Sequence, residues 1–237
     1  MMKPSIILLT AILTITPLGV LAKPFTAGLS ALGREHAPTA FRAWMKLAEA
    51  GEAEAQNNVA FLYERGLGVK QDYELAEEWY EKAAAQQLPE AYHNLAMLTY
   101  QGHINAKNYK KSIEWFTAAS ELGLTTSTYM LGVMYYQGQG VFKNARKSLP
   151  YFEDAARQGD PRAQYMLSYL FQSGESNEAK ESDFFKAYVW SSIALAGGFD
   201  KASSIRTAAG LELDDAQEDE ATTVMKNCLE TEFATCL

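Results

Sequence analysis

Cysteine is almost absent from this chain. Only Cys228 and Cys236 occur among 237 residues, both near the C-terminus. Two cysteines separated by two residues, the usual redox spacing, do not occur. Histidine is as scarce, with His36, His93 and His103 alone. His93 and His103 stand ten positions apart, without the i, i+4 partner of a helical zinc motif, and are read as surface residues. Basic side chains are also short: 21 Lys and Arg face 29 Asp and Glu, a net charge of −8. Nucleic-acid binding needs clustered cations to release counterions, and docking on an anionic membrane needs a polybasic patch, so both are set aside. Gly-x-Ser-x-Gly and Ser-x-x-Lys are missing too. The acidic run Asp214, Asp215, Glu218, Asp219 and Glu220 is read as a helix first turn and not as a cation site. Neither a catalytic constellation nor a cofactor or metal is expected.

One long apolar run is present, from Ile6 to Leu21, after the single positive charge of Lys3. Val20-Leu21-Ala22 follows with small residues at the positions a signal peptidase reads. Residues 1–22 are therefore expected to be a signal peptide cleaved after Ala22, placing the chain in the periplasm or outside the cell. An uncleaved anchor is the alternative, and the only membrane contact foreseen. In an oxidising compartment, Cys228 and Cys236 can pair or remain free.

What the chain has in abundance is repetition. A small residue returns every 36 positions at Ala55, Ala91, Ser127 and Ala163. Val59, Leu95, Leu131 and Leu167 follow four residues later, and Gly66, Gly102, Gly138 and Gly174 eleven later. Trp79, Trp115 and Tyr151 complete the register. Within one unit, Ala55, Val59, Ala60, Leu62 and Tyr63 form a helical stripe, Gly66-Leu67-Gly68-Val69 breaks it, and Asp72 offers an N-cap. Ala76, Trp79, Tyr80, Ala83 and Ala84 then give a second stripe. A period of this length means helix hairpins that bury their apolar faces on each other, so the fold class is all-α, an α-α superhelical solenoid.

The expected organisation is a segment 23–54 holding a half-repeat (Ala40, Trp44, Leu47, Ala48, Gly51), four repeats over 55–202, and capping helices with a tail over 203–237. The fourth repeat carries three extra residues between Gly174 and Asp183, read as a surface bulge.

The string Ala55-(three)-Val59-Ala60-(two)-Tyr63-(two)-Gly66-Leu67-Gly68-Val69-(two)-Asp72-(three)-Ala76-(two)-Trp79-Tyr80-(two)-Ala83-Ala84 resembles the Sel-one-like repeat, the 36-residue relative of the tetratricopeptide repeat. The resemblance spans about Ala40 to Ala202. It implies a right-handed superhelix and an adaptor's work: holding a protein or peptide partner in envelope signalling, host interaction or complex assembly. One exported branch with a cysteine pair in every repeat binds penicillin-like compounds, and these cysteine-free repeats inherit nothing of it. Exported repeat proteins of this kind also resemble immunity proteins against secreted phospholipase effectors. A hydrolase is the remaining, disfavoured alternative.

In such solenoids the first helix of each repeat lines the concave side. Three ladders fall between its core positions: Asn57, His93, Tyr129 and Tyr165; Phe61, Met97, Val133 and Tyr169; Glu64, Tyr100, Tyr136 and Gln172. Tyrosine joins a large contact area to a polar tip and is enriched at binding hot spots. His93, Tyr100, Tyr129, Tyr136, Tyr165 and Tyr169 are thus the candidate protein-binding residues. The middle ladder is also where inter-repeat core would lie.

Overall fold

The computed structural model describes residues 36–104, 106–233 and Cys236; the signal segment lies outside the described residues. Among them there is no strand. Eleven α-helices follow one another: α1 (Ala37–Glu49), α2 (Ala53–Arg65), α3 (Tyr73–Ala84), α4 (Pro89–Gln101), α5 (Tyr109–Glu121), α6 (Thr125–Gln137), α7 (Ala145–Arg157), α8 (Pro161–Ser173), α9 (Phe184–Ala196), α10 (Ser203–Gly210) and α11 (Asp215–Glu230). Each helix from α1 to α9 packs on the next in chain order, and α11 folds back onto α9. This is the all-α, stacked-hairpin architecture that the period requires.

The first helices of the hairpins, α2, α4, α6 and α8, begin at Ala53, Pro89, Thr125 and Pro161, a constant step of 36. Each ends on a left-handed glycine, Gly66, Gly102, Gly138 or Gly174. The second helices start on side-chain caps. Asp72, Asn108, Asn144 and Asp183 accept from the backbone N–H three residues on at 2.9–3.1 Å, satisfying a donor the helix itself cannot. The cap reaches Asp183 after a longer loop, so the three extra residues leave the hairpin register intact.

A turn glycine can also let hairpins close up. Gly68 and Gly140 have φ of +75° and +76°, and a Cβ there would lie 2.4 Å from the Ala37 carbonyl carbon and 2.8 Å from the Tyr109 Cβ. Each turn thus rests on the helix start of the preceding hairpin. Gly140→Ala combines left-handed strain with a clash and is expected to lower stability by about 2 kcal/mol. Urea denaturation measures it, and a loss under about 0.5 kcal/mol would show that the turn can yield.

Tyr80, Phe116 and Phe152, one in each of the first three hairpins, have no exposed surface; in the fourth, covered by the C-terminal helices, Trp190 and Ser191 are both buried. Trp79, Trp115 and Tyr151, the ladder most visible in sequence, are only half-buried. The Lys82 ammonium sits 3.8 Å from the Trp79 ring centroid, and Tyr151 stacks on Tyr135 at 5.3 Å. The reason is helical geometry. Neighbouring residues point about 100° apart, so in these three hairpins one of the two aims into the seam and the other lies at its edge.

Buried glutamines join hairpins in another way. Gln56 and Gln164 donate to the carbonyls of Ala48 and Ala156, each at 3.2 Å. These oxygens lie in the last turn of the preceding helix and also accept from the backbone N–H of Gly51 and of Gly159, each at 3.0 Å, so each glutamine adds a second bond that ties one helix to the next.

At the C-terminal end, the Tyr188 hydroxyl donates to Glu218 Oε1 at 2.8 Å, holding α11 on α9. Asp214 and Gln217 form a reciprocal capping box at the start of α11. Cys228 is fully buried and is joined to Cys236 in a disulfide with Cα atoms 5.0 Å apart. Closing so short a loop removes modest entropy from the unfolded chain. Cys228→Ser with Cys236→Ser is expected to lower stability by about 2 kcal/mol. Urea titrations of the variant and of the reduced wild type should agree; equal midpoints for wild type with and without reductant would refute this.

Candidate protein-binding face

The face presented by α2, α4, α6 and α8 carries all six candidate residues, and all six are half-buried. They form a continuous set of contacts running from hairpin to hairpin. The Tyr100 hydroxyl donates to Gln139 Oε1 of the next repeat at 2.9 Å, and its ring meets Tyr109 edge-on at 5.4 Å. Tyr136 and Tyr169 form a T-shaped pair at 6.2 Å across the next boundary. Lys143 Nζ lies 5.3 Å from the Tyr136 ring centroid. Tyr165 packs on Phe199 at 5.2 Å. The ladders therefore serve cohesion between repeats while leaving part of each ring accessible. Burial raises the pKa of Tyr129 and of Tyr136, so both keep their protons at neutral pH.

His93 departs from its reading as a surface residue. It is half-buried on α4, and its Nδ1 lies 2.8 Å from Ser127 Oγ on α6. Its ring tilts against Phe116 at 5.3 Å. Burial, with the charge of Arg162 second, lowers its pKa to about 4, so it is neutral under ordinary conditions. Ser127 is fully buried. The pair is a strut between α4 and α6.

Arg162 was not legible as part of this face. Its guanidinium forks onto Asp160, Nε to Oδ1 at 3.1 Å and the terminal nitrogen to Oδ2 at 2.6 Å. It also lies 4.4 Å from the Tyr129 ring centroid. Asp160 is 8% exposed and at the same time accepts from the N–H groups of Arg162 and Ala163, capping α8. Two restraints thus hold one cation over one aromatic ring, a pre-ordered arrangement of the residue types that dominate interfaces. The Asp-Pro-Arg run at a helix start was the available signal. Asn94 Nδ2 donates to Asn57 Oδ1 at 2.9 Å, tying α4 to α2.

A stack of helix hairpins whose first helices share one aromatic, partly exposed face defines an α-solenoid of the protein-interaction class. The chain belongs to the Sel1 repeat family, whose profile matches residues 53–88, 89–124, 126–160 and 161–199. Among solved structures it is similar to a Sel1 repeat protein from Oxalobacter formigenes, at 27% identity and a TM-score of 0.73, covering 88% of each chain. It is also similar to c5321, a protective antigen of uropathogenic Escherichia coli with the same repeat fold, at 22% identity and a TM-score of 0.52. That match covers 90% of this chain and 55% of the other. Immunity protein Pa5087 from Pseudomonas aeruginosa shares the fold at 18% identity and a TM-score of 0.51, over 92% and 84% of the two chains. No curated protein sequence matches.

Proposed function

We propose that this chain is an exported adaptor that holds a protein partner on the face formed by α2, α4, α6 and α8. The observation carrying this reading is the run of partly exposed Tyr100, Tyr129, Tyr136, Tyr165 and Tyr169 with Arg162 fixed among them. A face already ordered by inter-repeat contacts loses little side-chain entropy when a partner arrives. The Sel1 repeat fold is a protein-interaction scaffold, and no turnover is expected from the pure protein against chromogenic esters or β-lactams. Similarity to an immunity protein is one of fold. A neighbouring gene for a secreted lipase, and inhibition of that lipase, would be needed to adopt the immunity reading.

Export is supported by the apolar run Ile6–Leu21 and the small residues ahead of Lys23. Protein recovered from a periplasmic fraction is expected to begin at Lys23 by intact mass.

Capture from a periplasmic extract tests the partner face. Immobilised wild type and Tyr129→Phe, which keeps the ring, should retain a common protein that Tyr129→Ala/Tyr136→Ala loses. Equal retention by all three, with helical circular dichroism unchanged, would remove this face from consideration.

A further inference from the structure

Five large apolar side chains are exposed among the described residues, and two of them stand apart. Phe142 is 96% exposed and Leu211 82%, whereas the next, Leu122, is 42%. They lie in different loops, α6–α7 and α10–α11, and near-complete exposure means they do not meet within one chain.

Their surroundings are opposite in charge. Phe142 borders an open pocket of about 580 Å³ whose walls include Tyr135 and Val141 and whose lining includes Lys110 and Lys147; no carboxylate lines it. The pocket is held in shape. Tyr135 stacks on Tyr151, Gly140 presses against Tyr109 and Lys110 with no space for a Cβ, and Asn144 caps the helix bearing Lys147. Neither Lys110 nor Lys147 has a carboxylate partner among the described residues. Leu211 instead begins the turn Leu211-Glu212-Leu213-Asp214-Asp215, with Glu212, Asp214 and Asp215 all exposed. This turn is rigid as well, because Leu213 packs on the core and Asp214 is locked in its capping box.

We infer that the Leu211 turn of one copy of this chain docks into the Phe142 pocket of a second copy. The leucine replaces water against Tyr135, Val141 and Phe142, while Glu212 and its acidic neighbours face Lys110 and Lys147. An apolar knob followed by carboxylates meets an apolar socket rimmed by ammonium groups, and an interface core also excludes water from such charge pairs. Arg206, the cation beside the knob, is turned to the Tyr188 hydroxyl. The contact joins two different surfaces, so copies associate head to tail and not about a two-fold axis. Overall repulsion at −8 is screened beyond about 8 Å at physiological salt, leaving the local attraction. One turn in one pocket buries less than the roughly 1,000 Å² of stable complexes, so the association is weak and concentration-dependent.

Sedimentation of the purified chain at concentrations up to about 1 mM reads this weak class of association. The weight-average mass of wild type should rise with concentration, and about 0.5 M NaCl should reverse the rise. A socket variant, Lys110→Glu/Lys147→Glu, and a knob variant, Leu211→Ser/Glu212→Lys, should each remain monomeric, with helical circular dichroism confirming the fold. Mixed together, the two variants should form a dimer and nothing larger, since each retains one working surface. A wild type that is monomeric throughout would overturn the inference and leave both patches to other partners. So would a single variant that associates as wild type does, or a mixture that stays monomeric.

Discussion

Phe116→Ala is expected to destabilise the fold by about 4 kcal/mol, the largest effect of any substitution discussed. Phe116 has no exposed surface and packs with Ala96, Leu131 and Met134 at the centre of the array. His93 leans on its ring, so the cavity would open where α4, α5 and α6 meet. A solenoid has no distant contacts to compensate, because its stability is a sum of units and nearest-neighbour interfaces. Loss at the second hairpin should therefore weaken coupling between the two ends as well as total stability, broadening the urea transition. Trp115→Ala is the control, since Trp115 is half-buried and its removal leaves more room for water. A loss below about 2 kcal/mol for Phe116→Ala, or equal losses for both, would mean the inter-hairpin seam is misassigned.

Acidification should have the next largest effect, and His93 should carry it. An unfolded histidine titrates near its ordinary value of 6.5, while burial lowers His93 to about 4 in the fold. Between those values the unfolded chain takes up a proton that the folded chain refuses. Stability is therefore complete above about pH 6.5 and falls with pH, by about 2 kcal/mol at pH 5 and about 3 kcal/mol below pH 4. Carboxylates titrate in the lower part of this range, so the cleaner comparison is pH 7 with pH 5. His93→Gln can keep a hydrogen bond to Ser127 without taking a charge, and its melting temperature should change much less across that interval. Matching pH profiles for wild type and His93→Gln would show that the α4–α6 strut is not the acid-sensitive element.

The period was legible because it is written in residue types with narrow physical roles. Glycine at 66, 102, 138 and 174 ends the first helix, and Asp72, Asn108, Asn144 and Asp183 start the second. These are local rules, and the added loop residues could be counted without knowing how hairpins stack. The aromatic ladders were less legible. Trp79 and Tyr80 are adjacent, and both suit a packing face. Their unequal burial depends on the angle between hairpins.

The candidate face shows the same division. Its tyrosines could be placed on the first helices from spacing alone, but their half-burial and mutual contacts could not. Arg162 was missed because its position over Tyr129 depends on a buried Asp160 from its own helix cap and a ring from the preceding repeat. His93 was read as exposed because nothing local announces that Ser127, one repeat later, comes within hydrogen-bond reach.

By itself, then, the order of residues determined that this protein is a row of helix hairpins and where the turns between their helices fall. Backbone conformational preference and 3.6-residue periodicity act within a few positions and suffice for that. Tertiary structure alone decided which aromatics are sealed, that His93 is a neutral strut, and that Phe142 and Leu211 remain in water. Those outcomes depend on distances between residues far apart in the chain, which become defined only when one hairpin settles against the next.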